Sequence, residues 1–210
     1  MQRYLQATRM LDYSNLELVK KREHLLTHKK KSEEKLKALY DFVASLPLGY
    51  NKNDDIPASE VLKDGYGQCN TKVTLLMALA RGAGIHARVH VYRVNRESHR
   101  DKMPNWLLAF TPNDTPFFWP EFYVNKTWQP LQKIVHVKKQ TWKSCPFDGA
   151  KYQLEPLRES WIVRDDGVWD SPDEYFRKHT TSVRGWRKVG FAVLGRRALN
   201  KDVCARFAKQ

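Results

Sequence analysis

At 210 residues with seven Trp, nine Tyr and nine Phe, the chain is long and apolar enough to bury a core, which excludes a disordered binder. Its 37 basic against 23 acidic residues leave a net charge of +14, which favours anionic partners: nucleic acid, an acidic protein or a membrane surface. Three scattered cysteines exclude a disulfide framework and show no metal-ligand spacing, and no apolar run approaches the roughly 18 residues of a membrane span, so a soluble, cytoplasmic protein is expected.

Ser14-Asn15-Leu16-Glu17 has the Ser-x-x-Glu form of a capping box and opens a first helix carrying Leu18, Val19, Leu25 and Leu26. Ser32 reads as a second N-cap, with Glu33 and Glu34 where a helix dipole favours anions. Leu36, Leu39, Tyr40, Val43 and Leu46 then form an apolar stripe ended by Pro47 and Gly49. Asp55 to Leu62 predicts a short helix, and Gly65-Tyr66-Gly67 a turn. Cys69 to Arg81 reads as a buried helix with Val73, Leu76, Leu79, Ala80 and Ala83 on its apolar face.

Beyond it, residues 85–94 alternate as a strand, with Ala87, Val89 and Val91 against Arg88, His90 and Tyr92. Residues 95–116 are polar and read as a loop. Residues 117–124 and 127–137 predict two strands joined by a tight turn at Asn125-Lys126. Past Lys138 the periodicity weakens, with a short helix expected over 172–179 and a helical pattern near the end. Residues 177–210 carry ten Lys and Arg against one acid, Asp202. That segment is expected to dock through Trp186, Phe191, Val193 and Leu194 while offering its charges to an acidic partner or to nucleic acid. Trp161, Trp169 and Trp186 would be the stacking surfaces in the latter case.

Chemistry concentrates at Cys69. A cysteine on the first turn of a helix meets unpaired backbone N–H groups and a partial positive charge, which favour a thiolate and can hold an oxyanion. A cysteine in that place is also, most often, a small apolar residue. The run Gly65-Tyr66-Gly67-Gln68-Cys69-Asn70-Thr71-Lys72, continuing through Leu75 and Arg81-Gly82-Ala83-Gly84-Ile85-His86-Ala87-Arg88, closely resembles the nucleophile segment of the transglutaminase-like superfamily. His86 stands where that pattern has proline. The resemblance covers about residues 36–132 and implies an α+β, papain-like fold: a central nucleophile helix packed on an antiparallel sheet.

It also implies a hairpin, His-x-Trp-x-Glu-x-Tyr followed by Trp-x-Pro-x-Asp. Trp119, Glu121, Tyr123, Trp128 and Pro130 match it; Phe117 stands at the histidine and Gln132 at the acid. A phenyl ring cannot take a thiol proton or return it to a leaving amine. His90 is the best-placed substitute base, ahead of His99 and His136, while His24, His28 and His179 read as surface and Cys145 and Cys204 lack supporting groups.

Three functions are therefore open: an impaired transglutaminase-like protein that binds a peptide or protein, an active thiol acyl transferase, amidase or peptidase with a non-standard base, or a nucleic-acid binder. No cofactor or metal is expected. The expected organisation is a helical extension over 1–34, the core over 35–140 and a basic, aromatic-rich extension over 141–210.

Overall fold

The structure, a computed structural model, describes residues 1–47, 49–100, 105–108, 112–131, 159–179 and 200. Gln132, His136, Cys145, Cys204 and the expected docking residues Trp186, Phe191, Val193 and Leu194 lie outside the described residues, as does the side chain of His99.

After a 3-10 turn at Gln2–Leu5 come α1 (Leu16–Leu26), α2 (Ser32–Ser45), α3 (Ala58–Asp64) and α4 (Cys69–Gly82). Then follow β1 (Ala87–Asn95), a single turn α5 (Asn105–Leu108), β2 (Asp114–Val124), β3 (Thr127–Pro130), β4 (Ile162–Trp169) and α6 (Pro172–Lys178). The expected α+β arrangement is what is found, with Cys69 the first residue of the central helix.

The helix starts differ in detail from their expected caps. Asn15, not Ser14, caps α1, its Oδ1 accepting from the Glu17 N–H at 3.0 Å. Ser32 is already helical, with Lys31 in front of it and no side-chain cap. Gly65 ends α3 at φ 71°, a left-handed conformation that glycine adopts without a Cβ penalty.

The sheet runs β3-β2-β1-β4, every neighbouring pair antiparallel. Asn125 and Lys126 both have positive φ, the conformation a two-residue hairpin requires. Two expectations about strands need correction. Residues 114–116 belong to β2 rather than to a loop, because Arg93 on β1 holds Asp114 through a 2.6 Å ion pair and the ladder continues to Asn95. And β4 is a fourth strand on the β1 edge, where weak periodicity had suggested none. It is an edge strand whose polar centre, Arg164-Asp165-Asp166, breaks apolar alternation, and its pairing with β1 shifts register twice.

One sheet face, with Ala87, Val89, Val91, Phe118 and Phe122, packs against α4 in the core. Helices α1, α2 and α3 cover α4 from elsewhere, so Val73 through Ala80 have no exposed surface. A helix enclosed on all sides must be apolar nearly all round, and α4's buried polar residues, Asn70, Thr71, Lys72, Thr74 and Arg81, stand out against that rule. The N-terminal stretch is part of the same body. Leu11 and Leu18 join the core, and Asp173 on α6 accepts from Thr8 Oγ1 at 2.5 Å and the Met10 N–H at 2.9 Å. Among the described residues no helix is long and apolar enough to cross a membrane.

Candidate active site

The chain enters α4 through a crossing of two segments. The Gly49 N–H donates to the Gly67 carbonyl at 3.3 Å and the Gly67 N–H to the Pro47 carbonyl at 3.2 Å. A Cβ on Gly67 would stand 2.8 Å from Thr71 Oγ1 and 3.2 Å from Lys72 Cγ, so only glycine lets the chain pass this close to the helix. Gln68 then locks the loop 50–55 in place: its Oε1 accepts from the Asn51 N–H at 2.8 Å and its Nε2 donates to Asp54 at 2.6 Å. Asn51 in turn accepts from Thr71 Oγ1 at 2.6 Å and donates to Asp64 at 2.8 Å. Gln68 adds no side-chain cap to α4, and the first turn holds no acid, so the helix N-terminus keeps its positive potential at Cys69.

Cys69 is half-buried. Three residues on, Lys72 has no exposed surface. Helical side chains lean toward the N-terminus of their helix, and the Lys72 stem follows that direction, lying against Gly67 while its amine donates to the Leu46 carbonyl at the end of α2. Burial pushes the amine down to about 7, against an opposing pull from the Cys69 charge. Tyr50 and Asp54, on the locked loop, are both pushed upward by burial, toward their neutral forms; the Cys69 charge adds to the effect at Tyr50. Asn200 clasps the same loop, accepting from the Tyr50 N–H at 2.8 Å and donating to its carbonyl at 3.5 Å.

Asn70 carries the sheet to the helix start. Its Nδ2 donates to the Pro116 carbonyl at 2.9 Å and its Oδ1 accepts from the Phe118 N–H at 3.1 Å. These two groups flank Phe117 on β2, which is thereby pinned beside the residue following Cys69. The Phe117 ring is half-buried and stacks on Trp119, centroids 6.0 Å apart, as strand alternation expected for residues sharing a face. The same face of β1 carries Tyr92 opposite Phe117, His90 opposite Trp119 and Arg88 opposite Glu121.

His90 is held by carboxylates. Its Nε2 lies 2.7 Å from Asp165 and its Nδ1 3.7 Å from Glu121, and the ring stacks on Tyr92 at 4.3 Å. Glu121 also takes a 2.6 Å ion pair from Arg88, which covers Trp128. Of the histidines read as surface, His24 and His28 are exposed, but His179 stacks on Tyr175 at 4.4 Å and meets Trp169 edge-on. Trp169 is thereby engaged within the fold rather than held free for stacking. Among the described residues no group of three His, Cys, Asp or Glu is placed to hold a metal ion.

Gln68, Asn70 and Lys72 entered the sequence reading only as members of the nucleophile segment, with no role of their own, and Asn200 had no part in it. The available signal was a lysine inside a helix read as buried, since a buried lysine is rare without a partner or a task.

A family model described as transglutaminase-like superfamily matches residues 21–133, more than half of the chain. Among solved structures, a candidate cysteine protease from Cytophaga hutchinsonii superposes with a TM-score of 0.53 at 16% identity, over 81% of this chain and 47% of the other. The chain thus spans about half the length of that neighbour. A candidate protease from Parabacteroides distasonis gives 0.41 at 15% identity, over 59% and 24%. No curated protein sequence matches.

Proposed function

The chain belongs to the transglutaminase-like superfamily, and on that premise we propose that its Cys69 cleft binds a peptide or protein partner while having lost amide-bond turnover. The observation that supports this is Asn70's grip on the Pro116 carbonyl and the Phe118 N–H, the backbone groups on either side of Phe117. The family resemblance puts an imidazole there; this chain has a phenyl ring packed on Trp119. Amide cleavage needs a group that takes the thiol proton and returns it to a departing amine, help worth roughly 10²–10⁴-fold. Phe117 supplies neither step, and Gln132, at the family's acid position, has no ring to orient. His90 is engaged with Asp165 and Tyr92 on the sheet.

The basic charge favours an acidic segment in the partner. The scattered cysteines suit a reducing compartment such as the cytoplasm, and the core over 35–140 would carry the cleft between the extensions 1–34 and 141–210.

The test is turnover of peptide amides and glutamine-donor peptides by the wild-type protein and by Cys69→Ala. Both should be equally inactive, and Phe117→His with Gln132→Asp should raise Cys69-dependent turnover. Wild-type turnover that vanishes in Cys69→Ala would overturn the reading.

A further inference from the structure

We infer that Lys72 is the internal proton acceptor of Cys69 and makes the thiol a stoichiometric acceptor of acyl groups from thioesters and activated esters, though not from amides. The inference rests on the impaired cleft proposed above and names the chemistry left to it.

Two residues three apart on a helix are neighbours, with Cβ atoms roughly 5–6 Å apart. Cys69 and Lys72 hold that relation on the first turn of α4, and the charge of Cys69 is felt at the amine. Lys72 runs back under Gly67 toward the start of the helix. The thiol is half-buried, and the amine three residues on has no exposed surface. Near neutral pH that amine is partly uncharged and able to accept a proton, because burial has brought it to about 7. A base whose affinity for protons matches the working pH is the effective kind. Burial shifts two further groups at the helix entry, Tyr50 and Asp54, in the direction of their neutral forms.

The same burial limits the chemistry. Lys72 Nζ takes the thiol proton as Cys69 Sγ attacks a thioester carbonyl; the new S–C bond forms and the bond to the leaving sulfur breaks. The leaving thiolate takes a proton from water, and the resulting hydroxide is neutralised by the proton that the Lys72 ammonium later releases. An amine leaving group must be protonated as it departs, and an ammonium without exposed surface, held at the Leu46 carbonyl, does not reach it. Among the described residues His90 is engaged with Asp165 rather than offered to water, so the acyl group stays on Cys69. A structural alternative exists: the ammonium could serve solely to cap the C-terminal end of α2 through Leu46.

The experiment uses the full chain with phenyl thioacetate, p-nitrophenyl acetate and p-nitroacetanilide, reading acetyl incorporation by intact mass and its site by peptide mapping. One acetyl group per chain on Cys69 is expected from the first two and none from the anilide. Between about pH 6 and 9 the acetylation rate should rise with a step near 7, as Lys72 loses its proton. Lys72→Met should lack that step and react at least about 10-fold more slowly at pH 8. Lys72→Arg, which caps but cannot deprotonate, should fold and stay slow.

If Lys72→Met or Lys72→Arg, with native circular dichroism, follows the wild-type pH profile, Lys72 is only a cap. The idea also fails if the folded wild type takes no acetyl group on Cys69. Cys69-dependent release of nitroaniline would overturn both the impaired reading and the exclusion of amides, and the Lys72 variants would then test the proton acceptor by itself.

Discussion

Helix α4 carries a buried cation at each end, and the two are solved differently. Arg81, 3% exposed, donates to the carbonyls of Gln6 at 2.6 Å, Ala87 at 2.8 Å and Asp170, binding the helix end to the N-terminal segment, to β1 and to the end of β4. Burial lowers it to about 10, with Asp170 opposing, so it stays charged. Lys72 has no exposed surface, donates to Leu46 and is brought to about 7. A guanidinium spreads its charge over five donors in a fixed fork and serves as a staple; a lysine ammonium concentrates it and gives up its proton when buried. The structural end of the helix thus holds a cation that does not titrate near neutral pH, and the nucleophile end one that does.

The largest effect should come from removing the staple. Arg81→Met takes a charged donor from the carbonyls of Gln6, Ala87 and Asp170, and at roughly 1.5–3 kcal/mol for each bond to a charged group a loss of about 5 kcal/mol is expected in urea unfolding. A loss below about 1 kcal/mol would show that the two cations are not different in kind.

Lys72→Met should behave in the opposite sense with pH. The folded-state value of Lys72 lies below the ordinary lysine value, so its contribution to stability is full above about 10.4 and is lost as pH falls toward 7. Wild type minus Lys72→Met should therefore rise with pH above 7, approaching about 1.4 kcal/mol per unit and amounting to roughly 2 kcal/mol between pH 7 and 9. Urea curves of both proteins across that range measure it, and a flat difference would mean that Lys72 does not titrate there.

What was legible in the sequence follows the reach of each interaction. The apolar run after Cys69 and the alternation of residues 87–94 are local patterns, and both elements form where they were expected. The hairpin was legible for the same reason, its turn needing only two adjacent residues. Strand β4 was not, because its place is decided by pairing with β1 some 75 residues away, as in His90 with Asp165, and its exposed edge tolerates charges that hide its period. Lys72 and Asn70 were passed over for a related reason: their partners, Leu46 and Pro116, are 26 and 46 residues distant. The position of Cys69 on its helix could be read; what surrounds it could not.

Asn70 tests how firmly the nucleophile end is docked. In Asn70→Ala the buried Phe118 N–H and the Pro116 carbonyl both lose their partner, and a loss of about 2 kcal/mol is expected, smaller than at Arg81. The stacking of Phe117 on Trp119 should loosen with it, seen as a change in tryptophan emission in the folded protein. A variant as stable as wild type with unchanged emission would show that the strand reaches the helix without this clasp.

The smallest effect concerns two glycines two positions apart. Gly65 has φ 71° and nothing within 4 Å of a would-be Cβ, so Gly65→Ala meets backbone strain alone. Gly67 has no such φ, but its Cβ would stand 2.8 Å from Thr71 Oγ1 and 3.2 Å from Lys72 Cγ. Gly67→Ala must therefore push aside the hydroxyl that donates to Asn51 and shift the stem of Lys72. Each substitution should cost about 1 kcal/mol in urea unfolding, by different routes. The routes separate in combination. Adding Thr71→Ala removes the closest contact and should recover part of the loss at Gly67, a coupling of about 0.5–1 kcal/mol, with none at Gly65. They should separate again in chemistry: at equal stability, Gly67→Ala should slow acetylation of Cys69 by phenyl thioacetate, because Lys72 has moved, whereas Gly65→Ala should leave it near wild type. Equal rates in the two variants would detach the thiol's reactivity from the placement of Lys72, whatever the stability measurements show.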